Sequence, residues 1–274
     1  MQPFELTEPE SLREAIALLD ADDAARPLSG GTALMLMMKA GVLRPERLVS
    51  LGKLGLDKIE LGPAGELRVG SMVSLRKLET SEVVRRGWPA IARTLLTLSN
   101  VRVRNVARLG GHLAHGDPHT DLPPLLSALG AEVQIFGPHG ERQASVESLY
   151  TGYLETTLKR GELITRVDVP ALGKRRAAYL KCTTRSVDDW PAVGIAVCLG
   201  EQETRLFVSA ATDKPTRLAQ AEKILKNGNL QRACEAAAEE VNVEGDLHGS
   251  AAYKKQLIRV YLARAIHEAR HAAD

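Results

Sequence analysis

Apolar and polar positions along the chain divide it into short strands and helices punctuated by glycine and proline. Ser11-Leu12-Arg13-Glu14 has the form of a capping box and opens a helix through about Leu19. Ala25 to Leu28 is a short strand that runs into Ser29-Gly30-Gly31-Thr32, then an apolar helix from Ala33 to Lys39 closed by Gly41. This is strand, glycine loop, helix, an order that leaves unpaired N–H groups at the helix start. Leu48 to Leu51 reads as another strand, and 59–61 and 67–70 as two more joined by Gly62-Pro63-Ala64-Gly65. Helices follow over 75–86 and 89–98. The spacing then predicts a helix over 122–129, a hairpin of 132–136 with 142–145, and a strand over 163–169 stopped by Pro170.

Between these elements, Gly110 to Pro124 packs paired glycines, two aspartates, three histidines and three prolines between apolar runs. Gly and Pro punctuate it so heavily that no regular element is expected, and residues 108–121 read as one long loop. A loop so rich in polar groups is a candidate binding loop. Two Gly-Gly loops, at 30–31 and 110–111, suggest two backbone cradles, which suit a ligand with a diphosphate. Neither is a Rossmann GxGxxG or a Walker A motif, and either alone also reads as a tight turn.

Residues 171–176, basic and loop-like after Pro170, are the best domain boundary. Beyond them come strands at 177–183, 193–199 and 205–210, then helices near 216–226, 230–241 and 251–272. Strands followed by helices in one block indicate an α+β module. At 274 residues the chain accommodates two domains with separate cores.

A net charge of +2 and 4% aromatic residues argue against nucleic acid. Cys182, Cys198 and Cys234 are dispersed, so neither a disulfide framework nor a protein-held iron–sulfur cluster is expected. Reduced thiols, with no signal peptide and no apolar run of membrane length, point to a cytoplasmic protein. His112, His115 and His119 with Asp117 and Asp121 are metal-ligand types, but their spacing matches no zinc pattern. His267-Glu268-Ala269-Arg270-His271 matches HExxH literally, yet no third ligand follows it, and it reads as a solvated helix end. No metal site is therefore expected. Lys181, Arg185, Asp188, Asp189 and Trp190 form a tight polar–aromatic cluster between two strands. No Ser or Cys sits in a nucleophile elbow.

Taken together these segments resemble the FAD-binding (medium) subunit of molybdenum hydroxylases, the group of carbon monoxide dehydrogenase and xanthine dehydrogenase. That family's first flavin loop reads roughly A-G-G-T-x-L; here it is Ser29-Gly30-Gly31-Thr32-Ala33-Leu34. The second reads roughly V-R-N-x-A-T-I-G-G-N-x-A, then D-P-x-x-D-L-P. Here Val103 to Ala114 reads V-R-N-V-A-R-L-G-G-H-L-A, and Asp117 to Pro123 reads D-P-H-T-D-L-P. Lys181, Arg185, Asp188, Asp189 and Trp190 fit the family's third block in register, and Gly249 to Lys255 resembles its G-S-A-x-Y segment. Arg108 stands where the family often has Thr or Ser, and His112 where it often has Asn.

The resemblance implies an α+β fold. A two-subdomain FAD-binding domain, similar to vanillyl-alcohol oxidase, would cover residues 1–172, with subdomains of about 1–54 and 55–172. A C-terminal domain of a three-stranded antiparallel sheet with a helix bundle would cover 173–274. It implies FAD held by Leu28, Ser29, Gly30, Gly31, Thr32, Ala33, Leu34, Leu98, Arg108, Leu109, Gly110, Gly111, His112, Asp121, Leu163, Lys181 and Trp190. Asp121 would accept from a ribityl or ribose hydroxyl, Trp190 would cover one face of the isoalloxazine, and Lys181 would place positive charge near the reduced ring. The implied activity is electron transfer inside an oxidoreductase. Electrons would come from [2Fe–2S] clusters on a small partner subunit, with the molybdenum cofactor on a large one, in a dimer of heterotrimers. A stand-alone FAD oxidase of related fold and a flavin-free nucleotide-binding assembly protein are the alternatives.

Overall fold

In a computed structural model that describes residues 2–271, the chain forms three layered units in sequence order. The first contains β1 (Glu5–Thr7), α1 (Leu12–Ala21), β2 (Ala25–Leu28), α2 (Leu34–Lys39) and β3 (Arg47–Ser50). Its sheet is parallel, in the order β1-β3-β2. The side chain of Ser11 caps α1 by accepting from the N–H of Glu14, and Glu14 accepts in turn from the N–H of Glu10. Ala15, Ile16 and Leu19 of α1 bury against Ala25, Val49 and Leu51, and Met72 and Leu163 from the next unit complete this small core.

The second unit opens with β4 (Ile59–Leu61) and β5 (Leu67–Gly70). Six helices follow: α3 (Leu75–Thr80), α4 (Glu82–Gly87), α5 (Pro89–Thr97), α6 (Val101–Val106), α7 (Leu109–Ala114) and α8 (Leu122–Leu129). Strands β6 (Glu132–Gly137) and β7 (Gly140–Ser145), the short pair β8 (Tyr150–Gly152) and β9 (Glu155–Thr156), and β10 (Leu163–Val169) close it. An antiparallel sheet runs in the order β4-β5-β10-β6-β7. Three expectations are corrected in this unit. Residues 75–86 form two helices, because Ser81 adopts extended backbone (φ −64°, ψ 123°). A helix at 101–106 was not foreseen. The stretch 108–121 is not structureless, since Leu109 and Leu113 are fully buried and anchor α7 through one turn despite its glycine pair.

The third unit carries β11 (Arg176–Thr183), β12 (Pro191–Leu199), β13 (Thr204–Ser209) and β14 (Thr216–Arg217), then α9 (Ala219–Lys226), α10 (Leu230–Glu239) and α11 (Ala251–His271). The sheet is antiparallel with four strands, not three, because the two residues taken as the start of a helix at 216 pair with Phe207 and Val208 as an edge strand. The expected end of the last helix at 272 lies outside the described residues.

Strand β12 is buried on both faces, as its nearly unbroken apolar sequence requires. Ile195, Val197 and Val193 face the core made with α9–α11, while Ala196 and Cys198 join Phe207, Tyr179 and Ala177 against α8. Every residue of α8 is buried. The break in the chain near residue 172 therefore does not separate two cores: the main core of the second unit extends across one face of the third unit's sheet.

Candidate functional site

The two glycine loops meet. A Cβ placed on Gly111 would lie 3.2 Å from both Cβ and Oγ of Ser29, so the second loop faces the first at that point. Both depend on close backbone approach. A Cβ on Gly30 would sit 2.3 Å from the carbonyl oxygen of Val106, and one on Gly110 would sit 2.6 Å from Cβ of Ser71. Gly31 has φ +70°, a left-handed conformation that favours glycine.

Around the meeting point lies a cleft of about 300 Å³. Ser29, Gly30, Gly31, Thr32, Ala33, Leu34, Arg108, Gly110, Gly111, His112 and Leu163 line it, eleven of the positions expected from sequence. Leu28 is not on the lining, although its Cδ1 lies beneath Gly31. Leu109 and Leu98 are buried in the main core. Sequence reasoning missed several wall residues, among them Arg26, Met37, Ser71, His115, Glu162 and Ile164. Of these six, five lie within three residues of an expected position, and only Ser71 comes from a segment distant in sequence with no local motif.

Polar groups in this cleft lack protein partners. Among the described residues, the N–H groups of Gly30, Gly31, Thr32 and Ala33 make no hydrogen bond. In α7 the N–H of Leu109 donates to Val73 and that of Gly110 to Ser71, which leaves the N–H of Gly111. Three buried side-chain atoms on the lining are also unpartnered: Ser71 Oγ, Arg108 Nε and His112 Nε2. An unsatisfied buried donor costs about 1–3 kcal/mol, so their convergence marks a place where a ligand supplies acceptors. Burial pushes the His112 imidazole down to about 4, with His115 adding to the fall and Asp117 opposing it. His112 is thus neutral at pH 7 and has one N–H to give. Free amides, a hydroxyl, a guanidinium and a neutral imidazole form a donor set, which fits the oxygens of a diphosphate. The residues present therefore fit FAD at this end.

Asp121, Lys181 and Trp190 are placed elsewhere, in the seam between the second and third units. The ammonium of Lys181 donates to Asp121 Oδ2 at 2.9 Å, to the Thr97 carbonyl at 2.9 Å and to the Asp189 carbonyl at 3.1 Å. Asp121 Oδ1 accepts from the Tyr179 hydroxyl at 2.7 Å. Burial raises the Asp121 carboxyl above its ordinary range, and the Lys181 and Tyr179 hydrogen bonds hold part of that rise back. Burial, then Asp121, raise the Tyr179 hydroxyl. Trp190 is half exposed, its ring 5.3 Å from that of His119. The backbone beside this group is fixed by a buried pair that sequence reasoning missed: Arg104 Nε donates to Glu79 at 2.8 Å, and its terminal nitrogen donates to the carbonyls of Leu98 and Ser99.

The loop histidines do not gather round one point. His115 and His112 line the cleft, whereas His119 hydrogen-bonds Asp117 at 3.0 Å and lies 3.5 Å from Asp246. Burial works to raise the Asp117 carboxyl, but hydrogen bonds from the ring and N–H of His119 bring it below the usual carboxylate range. At the end of α11 the rings of His267 and His271 stack at 4.1 Å. Among the described residues no group of three His, Cys, Asp or Glu side chains is arranged to hold a metal ion. Nor is any helix there long and apolar enough to cross a membrane.

Comparison with known proteins agrees with this architecture. The family model for the FAD binding domain in molybdopterin dehydrogenase matches residues 2–172, and that for the CO dehydrogenase flavoprotein C-terminal domain matches residues 178–269. The medium chain of glyceraldehyde dehydrogenase from Sulfolobus acidocaldarius is 27% identical, over 97% of this chain and 98% of that protein. Subunit alpha of the 6-hydroxypseudooxynicotine dehydrogenase complex of Paenarthrobacter nicotinovorans is 30% identical, over 98% and 95%. Among solved structures, carbon monoxide dehydrogenase from Hydrogenophaga pseudoflava superposes with a TM-score of 0.93 at 29% identity, covering all of both chains. The chain belongs to the FAD-binding subunit family of molybdenum hydroxylases, a family of oxidoreductases.

Proposed function

We propose that this chain is the electron-transfer subunit of a multi-subunit molybdenum hydroxylase. It would draw electrons from [2Fe–2S] clusters on a small subunit, whose large partner holds the molybdenum cofactor, and deliver them to an external acceptor. The carrying observation is the meeting of the two glycine loops at Ser29 and Gly111, with three unpartnered buried donors around them. Bound FAD supplies reversible two-electron chemistry that can proceed in single-electron steps. The chain's own residues bind and tune. Ser71, Arg108, His112 and the free amides of 30–33 and 111 hold the diphosphate, while Leu34 and Leu163 flank it. Trp190 shields one face of the isoalloxazine. Lys181, paired with Asp121, sets positive charge at the same end.

In this reading residues 1–172 form the flavin domain, with subdomains of about 1–54 and 55–172, and 173–274 the C-terminal domain. The working particle is a dimer of heterotrimers in the cytoplasm. The relatives, a medium chain and a subunit of a dehydrogenase complex, support a subunit role. The test is purification of the chain alone and with the products of neighbouring genes. A yellow protein that releases FAD and co-elutes with one larger and one smaller partner is expected. A colourless protein that takes up no FAD on reconstitution overturns the reading.

A further inference from the structure

Away from the flavin cleft, a second cavity of about 690 Å³ opens where α4 and α5 meet the connection at 171–177. It shares no lining residue with the cleft. Its apolar wall includes Trp88, whose indole N–H donates to the Pro170 carbonyl at 2.9 Å, and Leu172. Four guanidinium groups line it, Arg86, Arg93, Arg175 and Arg176, and among the described residues no carboxylate does. The chain as a whole is nearly neutral at +2, so this is a local concentration of charge.

The cations are held to different degrees. Arg175 donates to the carbonyls of Ala171, Leu172 and Leu129, at 2.8, 3.3 and 3.2 Å, and is fixed in place before any ligand arrives. Arg176 donates to the Arg270 carbonyl at 2.7 Å. The carbonyl partners of Arg175 orient it without neutralising it. Arg86 pairs with Glu82, but its side chain is 80% exposed, where such a pair contributes little. Arg93 has no hydrogen bond or ion pair among the described residues. Like charges gathered in one cavity repel, and an anion removes that repulsion.

We propose that this cavity binds an amphipathic organic anion, with its apolar body beside Trp88 and Leu172 and a phosphate or carboxylate head among Arg93, Arg86 and Arg175. The planar guanidinium fork suits either head group. The volume falls within the range of about 300–1,000 Å³ usual for small-molecule sites. Because its walls come from both α4–α5 and the connection leading into the third unit, an occupant would tie those two parts together. The site stands on its own lining and does not depend on the flavin reading.

The experiment is calorimetric titration of the purified chain with 2-naphthyl phosphate, and with inorganic phosphate as a head-only probe. Saturable one-site binding is expected, weakened about tenfold or more by Arg93→Gln and further by Arg93→Glu, with inorganic phosphate also about tenfold weaker. Arg93 is exposed on α5, so the variants should keep the parent thermal midpoint; Arg86→Gln serves as the second variant if one does not. Absence of saturable binding, unchanged affinity in Arg93→Glu, or inorganic phosphate binding as tightly as the naphthyl ester would overturn the proposal. So would loss of binding in His112→Ala, which would assign the heat to the flavin cleft.

Discussion

Lys181 and Asp121 form an ion pair at 2.9 Å across the seam between the second and third units, with 7% and 4% of their side chains exposed. All three hydrogens of the ammonium are used, on Asp121, Thr97 and Asp189. The pair therefore joins β11, the start of α8 and the end of α5 in one knot. Removing one partner strands the other charge in a buried site. Asp121→Ala is expected to lower the unfolding free energy by about 3–5 kcal/mol. Urea denaturation followed by circular dichroism checks this, and a loss below about 1 kcal/mol would show that the pair behaves as an exposed one.

Lys181→Met should also act on the flavin. Loss of the cation is expected to lower the two-electron reduction potential by on the order of 30 mV, equal to about 1.4 kcal/mol. Potentiometric titration beside the parent measures it; an unchanged potential removes Lys181 from the ring environment.

The glycines of the two loops should separate into two classes. A Cβ at Gly30 runs into the Val106 carbonyl and Ala107 Cα, so Gly30→Ala is expected to destabilise the fold by about 1–3 kcal/mol. A Cβ at Gly111 meets only the Ser29 side chain, at 3.2 Å. Gly111→Val should leave the thermal midpoint within a few degrees while weakening FAD retention about tenfold or more. Equal flavin content in parent and Gly111→Val would remove the assigned cradle.

His112 gives a dependence on pH with a definite sign. Its folded value of about 4 lies below the ordinary value of 6.5, so folding holds the ring neutral. That contribution is complete above pH 6.5 and is lost as pH falls through 4. The full span amounts to about 3 kcal/mol, less for the part of the ring that meets solvent. Flavin-free parent protein should therefore lose more stability between pH 7 and pH 4 than His112→Gln does. Parallel losses in the two proteins would contradict the buried neutral ring.

Trp190 is expected to quench the flavin. Its ring is half exposed and stands 5.3 Å from that of His119, and an aromatic ring against the isoalloxazine quenches its emission. Trp190→Ala should brighten bound-FAD fluorescence; steady-state emission at matched flavin content is the measurement.

The close approach of the two glycine loops was legible because glycine pairs mark places where backbone must come close, whatever the fold. Helix α6 was not, because Val101, Val103 and Val106 are β-branched and alternate with arginine, a pattern that mimics a strand. The available signal was Asn100, whose side chain accepts from the N–H of Val103 as a cap. Helix α7 was hidden by its own glycines, while its anchor, Leu109 with Leu113, is a single apolar pair. Ser81 breaks 75–86 with the extended backbone of an N-cap, and the available signal was this serine followed by Glu82 in the first turn. The buried partners Glu79 for Arg104 and Tyr179 for Asp121 lie 25 and 58 residues away, and no local pattern encodes such a pairing.

The smallest unit borrows part of its interior. Met72 and Leu163, which belong to the second unit, complete the core of the first, and Gly30 leans on Val106 with no room for a methyl between them. The first glycine loop is consequently not a transplantable cassette. Grafting residues 1–54 onto another scaffold would carry the Gly-Gly-Thr signature but neither the surface that supports it nor the side chains that close it, so in this architecture the glycine-loop cleft and its neighbour are inherited, lost or redesigned together.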